Sequence, residues 1–196
     1  MGILKYVVIN TLIGEITIVW DDSENLIKQI ILPDVVTKRS NPSNIAYTGV
    51  IFEKHQNRMI VDACSDIKDC ILGHEVNFDV SLLDLSELTD FQKKVLLKQT
   101  EIPYGHVTTY KKLAGMIGKP KSFRPVANVL SNNPFPILIP CHRTVRADWT
   151  VGGYAGTKDS TFKTLILKNE GVQIKKGVIA EKYHYPSESM ETKNKI

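Results

Sequence analysis

The sequence predicts a two-part fold: an α/β unit built on an antiparallel sheet, followed by a mainly α unit carrying a helix-turn-helix. Three observations predict it. Val- and Ile-rich runs separated by short polar turns fill the first third. Apolar residues at helical spacing, with capping signals, fill the middle. Gly and Pro stops then cut that middle into short helices. The expected boundaries are an N-terminal unit over residues 1–85, a second unit over residues 86–183, and a polar, disordered tail over residues 184–196.

Residues 4–13 read as a strand, Gly14-Glu15 as a turn, and Ile16-Thr17-Ile18-Val19-Trp20 as a second strand. The polar turn at residues 21–25 leads to a third strand over residues 26–32, ending at Pro33, so the first sheet is an antiparallel meander. A loop follows from Pro33 to about Asn44. Ile60, Ala63, Ile67, Cys70 and Ile71 recur at helical spacing and place an amphipathic helix over residues 56–72. Residues 76–80 read as one more strand, and residues 81–88 as a linker between the halves.

Thr89 and Gln92 form a capping-box pattern at the start of a helix whose apolar face is Phe91, Val95, Leu96 and Ile102; Pro103-Tyr104-Gly105 stops it. A short helix over residues 109–116 closes at Gly118-Lys119-Pro120. The next opens with Ser122 as its cap and runs to Leu130, where Ser131-Asn132-Asn133-Pro134 breaks it. Two short helices joined by a tight Gly/Pro turn make a helix-turn-helix candidate, although many such pairs only pack cores. A last helix over residues 160–170 stops at Gly171, and residues 172–180 form a small hairpin around Lys175-Lys176-Gly177.

Composition narrows the function classes. The longest apolar stretches, such as Ile137-Leu138-Ile139, are too short to span a bilayer, and residues 1–5 do not resemble a secretory leader. Three cysteines without close pairing fit a reducing interior, so a cytoplasmic location (nuclear in a eukaryote) is expected. A formal net charge of +4 permits nucleic-acid binding without requiring it. Cys64 and Cys70 lie six apart on one helix with no CxxC and no His partner; two small residues on the packed face explain them more simply than a metal pair.

Chemistry concentrates at Pro140-Cys141-His142-Arg143. A thiolate is the reactive form of cysteine, and an imidazole or a nearby positive charge favours it. Neighbouring strand residues point to opposite faces, however, so His142 serves Cys141 only if the chain turns here or a water bridges them. Spacing alone leaves a nucleophile and an inert buried thiol both open.

The string Ile137-Leu138-Ile139-Pro140-Cys141-His142-Arg143 closely resembles the active-site signature of the O6-alkylguanine-DNA alkyltransferases, also called methylated-DNA–protein-cysteine methyltransferases. Ile102-Pro103-Tyr104-Gly105, Thr109-Tyr110, Leu113-Ala114, Gly118, Pro120, Arg124-Pro125-Val126, Asn133-Pro134 and Gly153-Tyr154 follow the family's order and spacing. The resemblance is strong over residues 91–171 and weak over the first eighty.

That resemblance implies an RNase H-like N-terminal domain, a winged-helix-like second domain, and a protein acting as a monomer on double-stranded DNA containing O6-alkylguanine, with O4-alkylthymine as a further substrate. The damaged base is flipped out of the duplex, because a stacked base keeps its O6 substituent away from a buried nucleophile. Arg124 matches the arginine that fills the gap, and Tyr110 the tyrosine that rotates the nucleotide and bonds the base. Ser122, Phe123 and Asn128 share Arg124's helix and are further contact candidates; Lys119 and Lys121 are candidates for phosphates. Cys141 is implied as the attacking thiolate, His142 as acceptor of its proton through a water, and Glu170 as the group that orients the imidazole. Asn133 braces the turn. Pro136, Tyr154, Ala155 and Gly156 line the base pocket, with the carbonyls of Cys141 and Thr144 taking the guanine amino group and the Ala155 amide donating to O6. A thioether is a poor leaving group, so one molecule performs one repair. No cofactor or metal is implied.

Ala155 stands where many relatives carry serine, and the segment between Gly156 and Glu170 is about two residues longer than in well-known ones. Two other readings remain. A non-catalytic lesion-binding relative would lack the cysteine that is present here. An unrelated cysteine hydrolase would leave the helix-turn-helix and Arg124 unexplained.

Overall fold

The computed structural model describes residues 4–33 and 57–185. The sheet is a three-stranded antiparallel meander: β1 (Leu4–Thr11), β2 (Gly14–Asp21) and β3 (Leu26–Ile31), in that spatial order. Its register pairs Ile9 with Ile16 and Val7 with Ile18, so the β-branched residues that favour the strands also stack across them. A bulge at Val19/Trp20 bends β2 against β3. β3 is an edge strand, and its outer edge is not left open. The Ile30 amide donates to the Pro134 carbonyl at 2.8 Å, joining the sheet to the segment that leads into Cys141.

Helix α1 (Arg58–Leu72) lays Met59, Ile60, Ala63, Ile67 and Ile71 inward. Asn57 caps it, its side chain accepting from the Ile60 amide. The expected strand over residues 76–80 is absent. The Asp79 carboxylate accepts the Ser81 amide at 2.9 Å and folds Val80–Leu82 into a 3₁₀ turn, a local bond that displaces a ladder. Contact with the sheet comes later, as a parallel bridge of Leu83 with Ile27. The stretch read as a linker is therefore partly structural: Leu83 is buried, and Leu82, Leu85 and Leu88 pack against the core.

Helix α2 (Asp90–Thr100) starts with a full capping box between Thr89 and Gln92. The strand β4 (Thr108–Thr109) pairs in parallel with β5 (Thr144–Val145). Between them lie α3 (Tyr110–Met116) and α4 (Phe123–Ser131), the helix-turn-helix, with Gly118 in the left-handed conformation at the turn. Ser122 occupies the N-cap position of α4 but makes no capping bond. Its φ and ψ of −93° and 28° lie outside the extended region, which turns its hydroxyl away from the helix amides. Helix α5 (Thr161–Asn169), the hairpin of β6 (Ile174–Lys175) and β7 (Val178–Ile179), and a 3₁₀ turn at Glu181–Tyr183 follow.

Residues 184 and 185, which fall within the expected tail, are held against the fold. The Val107 amide donates to Tyr183, the Tyr185 amide donates back to Val107, and the His184 ring stacks on Trp149. Those pairings order residues 184–185. The rest of the expected tail, and the expected loop beyond Pro33, lie outside the described residues. Among the described residues no helix is long and apolar enough to cross a membrane.

One hydrophobic cluster runs from Val7, Ile18 and Ile67 through Leu96 and Leu113 to Ile139 and Ile166, so sheet and helices share a core. A polar joint reinforces it. The Asn169 side chain donates to the Ile71 carbonyl at 2.7 Å, and the Tyr104 hydroxyl donates to the Gly73 carbonyl. Gly73 ends α1 at φ 88°, and a Cβ there would lie 2.2 Å from the Asn169 carbonyl oxygen. Gly73→Ala is therefore expected to lose at least about 2 kcal/mol, from the left-handed backbone and the clash together; a urea midpoint unchanged from wild type would contradict this.

Candidate active site

The segment before Cys141 is a braced turn. The Asn133 carboxamide oxygen accepts the Phe135 amide at 2.9 Å, and its nitrogen donates to the Ile139 carbonyl at 3.1 Å. Ile137, β-branched and buried, is held at φ 77° inside this turn. Such a conformation costs on the order of 1–3 kcal/mol and persists only where its surroundings impose it. Cys141–Arg143 then forms one 3₁₀ turn. The chain thus turns at the cysteine.

Two buried polar residues that sequence reading passed over hold this turn. Gln99 of α2 is fully buried; its nitrogen donates to the Pro140 carbonyl at 2.9 Å and its oxygen accepts the Thr144 hydroxyl, gripping the turn on both sides. Lys163 of α5 is 1% exposed, and its ammonium donates to the Thr144 carbonyl at 2.5 Å. A signal existed for both. Gln99 follows Val95 by four, and Lys163 precedes Ile166 and Leu167 by three and four, so each stands in phase with a core face. Thr144 itself is fully buried, accepts from Lys163 through its carbonyl, and is not among the described residues lining the cavities at Cys141.

His142 is 1% exposed and donates from Nε2 to Glu170 at 2.8 Å. Its Nδ1 is buried and has no protein partner, which leaves an acceptor lone pair. Glu170 caps the C-terminus of α5, where the helix dipole is unfavourable. Arg143 compensates: Nε and Nη2 fork onto the carboxylate at 2.9–3.1 Å, and Nη1 donates to the Ile102 carbonyl. Burial would raise the Glu170 carboxyl, but His142 and Arg143 outweigh it and hold it at about 2. Burial lowers the His142 imidazole, only partly opposed by Glu170, so it stays neutral at neutral pH.

Cys141 is 7% exposed, and its sulfur lies 3.9 Å from the Tyr154 hydroxyl. Burial pushes its thiol up, against lowering by Asn133, Tyr154 and Lys163. The resting group is therefore a thiol, and ionisation has to accompany reaction. Burial brings the Lys163 ammonium down to about 8, which still leaves it mainly charged at neutral pH. Tyr110, half-buried at the start of α3, is pushed up to about 12 by burial and the nearby Cys141. Cys64 and Cys70 are half-buried, packed against the core, and raised by burial to about 11 and about 12.

A cavity of about 450 Å³ reaches from Cys141 to the helix-turn-helix, lined by Tyr110, Ala127, Asn128, Tyr154, Ala155, Gly156 and Lys163. The loop over residues 153–157 closes tightly on itself. A Cβ on Gly153 would lie 1.9 Å from the Thr157 carbonyl oxygen, and Ala155 sits at φ 46°. Pro136 lines a second cavity, also bordered by Cys141. Helix α4 buries Val126, Val129 and Leu130 and exposes Phe123, Arg124 and Asn128. The Arg124 guanidinium lies 5.9 Å from the Phe123 ring centre. Lys119 and Lys121 are exposed beside them, while Ser122 is half-buried.

Comparison with known proteins decides the family. The chain is 37% identical to a methylated-DNA–protein-cysteine methyltransferase of Methanothermobacter thermautotrophicus over 82% of this chain and 81% of that protein. The chain belongs to the methylated-DNA–protein-cysteine methyltransferase family. Residues 90–172 match the family described as 6-O-methylguanine DNA methyltransferase, DNA binding domain. The O6-methylguanine methyltransferase of Mycobacterium tuberculosis is a structural neighbour at 28% identity, with a TM-score of 0.69 over 85% of this chain and 92% of that one. A second M. tuberculosis structure, solved in complex with DNA, matches at 25% identity and a TM-score of 0.63 over the same shares. With these alkyltransferases the chain shares an N-terminal sheet domain followed by a helical C-terminal domain.

Glu170→Gln would leave Arg143 and His142 without their shared anion and is expected to destabilise the fold by about 3–5 kcal/mol. The sign with pH follows from the depressed carboxyl. Its stabilisation is complete above the ordinary value of 4.5 and is lost as pH falls towards about 2. Urea midpoints across that range should fall for wild type and change less for the variant; parallel curves would contradict the assignment.

Proposed function

We propose that this protein repairs DNA by moving the alkyl group of an O6-alkylguanine onto Cys141, once per molecule. The observation that carries the reading is a buried thiol bordering a cavity that extends to a helix-turn-helix, on the residue before a histidine with a buried, unpartnered ring nitrogen. Membership of the methyltransferase family supports the same chemistry.

A base in a duplex cannot reach a sulfur on a residue 7% exposed, so the target nucleotide has to rotate out of the stack. Exposed Arg124 is suited to fill the space it leaves, with Phe123, Asn128, Lys119, Lys121 and Ser122 as neighbouring contacts to the strands. Tyr110, on the cavity wall, is suited to bond the extruded base. The phosphate contacts carry little sequence information, so binding should be salt-sensitive and largely sequence-independent.

In the reaction the S–C bond forms as the C–O6 bond breaks, and the electron pair leaves with guanine. The thiol proton passes towards His142 Nδ1 through a bridging water, and Glu170 and Arg143 fix the ring that receives it. Lys163 favours the thiolate as it forms. The Ala155 amide and the Cys141 carbonyl are candidate contacts to O6 and to the guanine amino group, with Pro136, Tyr154 and Gly156 shaping the pocket. An RNase H-like sheet unit, a winged-helix-like second unit, action as a monomer, a cytoplasmic location and a secondary substrate in O4-alkylthymine belong to the same reading.

A duplex carrying radiolabelled O6-methylguanine tests it: one equivalent of label should appear on the peptide containing Cys141. Cys141→Ala should abolish transfer while keeping duplex affinity within about threefold, because the thiol touches only the extruded base. Transfer persisting in that variant would end the proposal. Arg124→Ala should slow reaction with duplex far more than with free O6-methylguanine base; equal losses would remove the finger role. Since a neutral His142 has to take the Cys141 proton, the single-turnover rate should be level through the neutral range and fall on acidification below the ordinary imidazole value of 6.5, as His142 becomes protonated. A rate that does not fall on acidification would remove His142 from the proton path.

A further inference from the structure

Cys141 borders two cavities rather than one. The larger runs towards the helix-turn-helix. The second, about 250 Å³, shares Leu130, Ser131, Cys141, Tyr154 and Ala155 with it and then departs in a different direction. Its far wall is supplied by the N-terminal sheet: Gln29, Ile30 and Ile31 of β3, with Leu32 just beyond. Pro134 and Pro136 close it near the cysteine. The 2.8 Å bond from the Ile30 amide to the Pro134 carbonyl ties that wall to the cysteine turn, so the gap between β3 and the sulfur is set by the fold.

The geometry of displacement gives this second cavity a use. Sulfur, carbon and O6 lie in line during transfer, and the other groups on the carbon spread sideways from that axis. For a methyl group these are hydrogens and need little room. A larger substituent must project away from the base, and the base already occupies the cavity that leads to the helix-turn-helix. We infer that strand β3 of the N-terminal sheet forms the wall of an alkyl-accepting cavity beside Cys141, and that Gln29 and Ile31 thereby set how large a group the protein accepts.

The inference rests on the alkyl-transfer reading and adds a role for the N-terminal half. The volume favours bulky groups. An apolar cavity of about 150 Å³ is enough to hold benzene inside a protein, and this one is larger. Ile30, Ile31, Leu32, Leu130, Pro134, Pro136 and Tyr154 make most of its surface apolar, while Gln29 and Asn133 add uncharged amides. The substituents that fit are neutral aromatic or branched alkyl groups, since the described residues of the wall offer no cation to an anionic one. In the proposed step the whole substituent moves with its carbon: S–C forms, C–O6 breaks, guanine takes the electron pair, and the thiol proton goes towards His142. The bulky thioether is then left in the cavity under β3.

The test compares single-turnover rate constants for O6-methylguanine and O6-benzylguanine in one duplex sequence. Wild type should transfer both. Gln29→Trp and Ile31→Trp, which fill the cavity from a half-buried strand face, should lower the benzyl-to-methyl rate ratio at least tenfold in one or both. Ile31→Ala should raise it severalfold. Rate constants, unlike amplitudes, do not depend on the folded fraction, so a partly unfolded variant still reports. If neither tryptophan variant folds at all, Ile31→Ala and Gln29→Ala still have to raise the ratio. A ratio within twofold of wild type in every folded variant overturns the inference, as does wild-type transfer of methyl but not benzyl. Failure of wild type to transfer methyl is a different result and overturns the alkyl-transfer reading itself.

Discussion

Much of this molecule depends on one buried carboxylate. Glu170 is 5% exposed at the C-terminal end of a helix, where both burial and the helix dipole oppose its charge. It is stabilised there because His142 and Arg143, neighbours in a single 3₁₀ turn, both reach it. The consequence runs in both directions. The carboxylate needs the turn that follows Cys141, and the turn needs α5. Arg143 extends the network to the end of α2 through the Ile102 carbonyl, and the Gly105 amide adds a further bond to the carboxylate. Three segments far apart in the chain, the cysteine turn, residues 102–105 and the end of α5, are therefore joined around one charge.

The same burial explains why the cysteine is quiet at rest. A thiol surrounded by protein is harder to ionise than one in water, and the field of Lys163 and the hydroxyl of Tyr154 only partly offset this. Cys64 and Cys70 are raised by burial as well, but neither is among the described residues that line the cavities at Cys141. What distinguishes Cys141 is its surroundings. A neutral imidazole with a free lone pair stands beside it in sequence, and a nearby ammonium rewards negative charge when it develops. Reactivity that appears only when a substrate fills the site suits a protein that can be consumed once.

The N-terminal sheet contributes more than a platform. Its edge strand is hydrogen-bonded to the segment before the cysteine, and its residues border a cavity at the sulfur. Sheet and helices also share a single hydrophobic cluster, and α1 meets α5 at Gly73 and Asn169, next to Glu170. The weak resemblance of the first eighty residues to relatives is compatible with this, since a wall can keep its position while its side chains vary.

The local elements and the string that carries the family resemblance were legible in the chain alone. Strand periodicity, the Thr89–Gln92 capping box, the Gly and Pro stops and the Pro140–Arg143 string are short-range signals, because caps, turns and alternation depend on residues within a few positions of one another. Sequence reading erred at residues 76–80 and the Ser122 cap, where an Asx turn and a bridge-region backbone prevailed over pattern. Nor did it anticipate the stacking of His184 on Trp149, which joins residues 35 positions apart. Only the tertiary structure decided that Gln99 and Lys163 enter the core to hold the cysteine turn, that Arg143 stabilises Glu170, and that β3 borders the sulfur. Each of those depends on burial and on contacts between distant segments, and the energy of a buried polar group is set by the partner it meets, which no local pattern encodes.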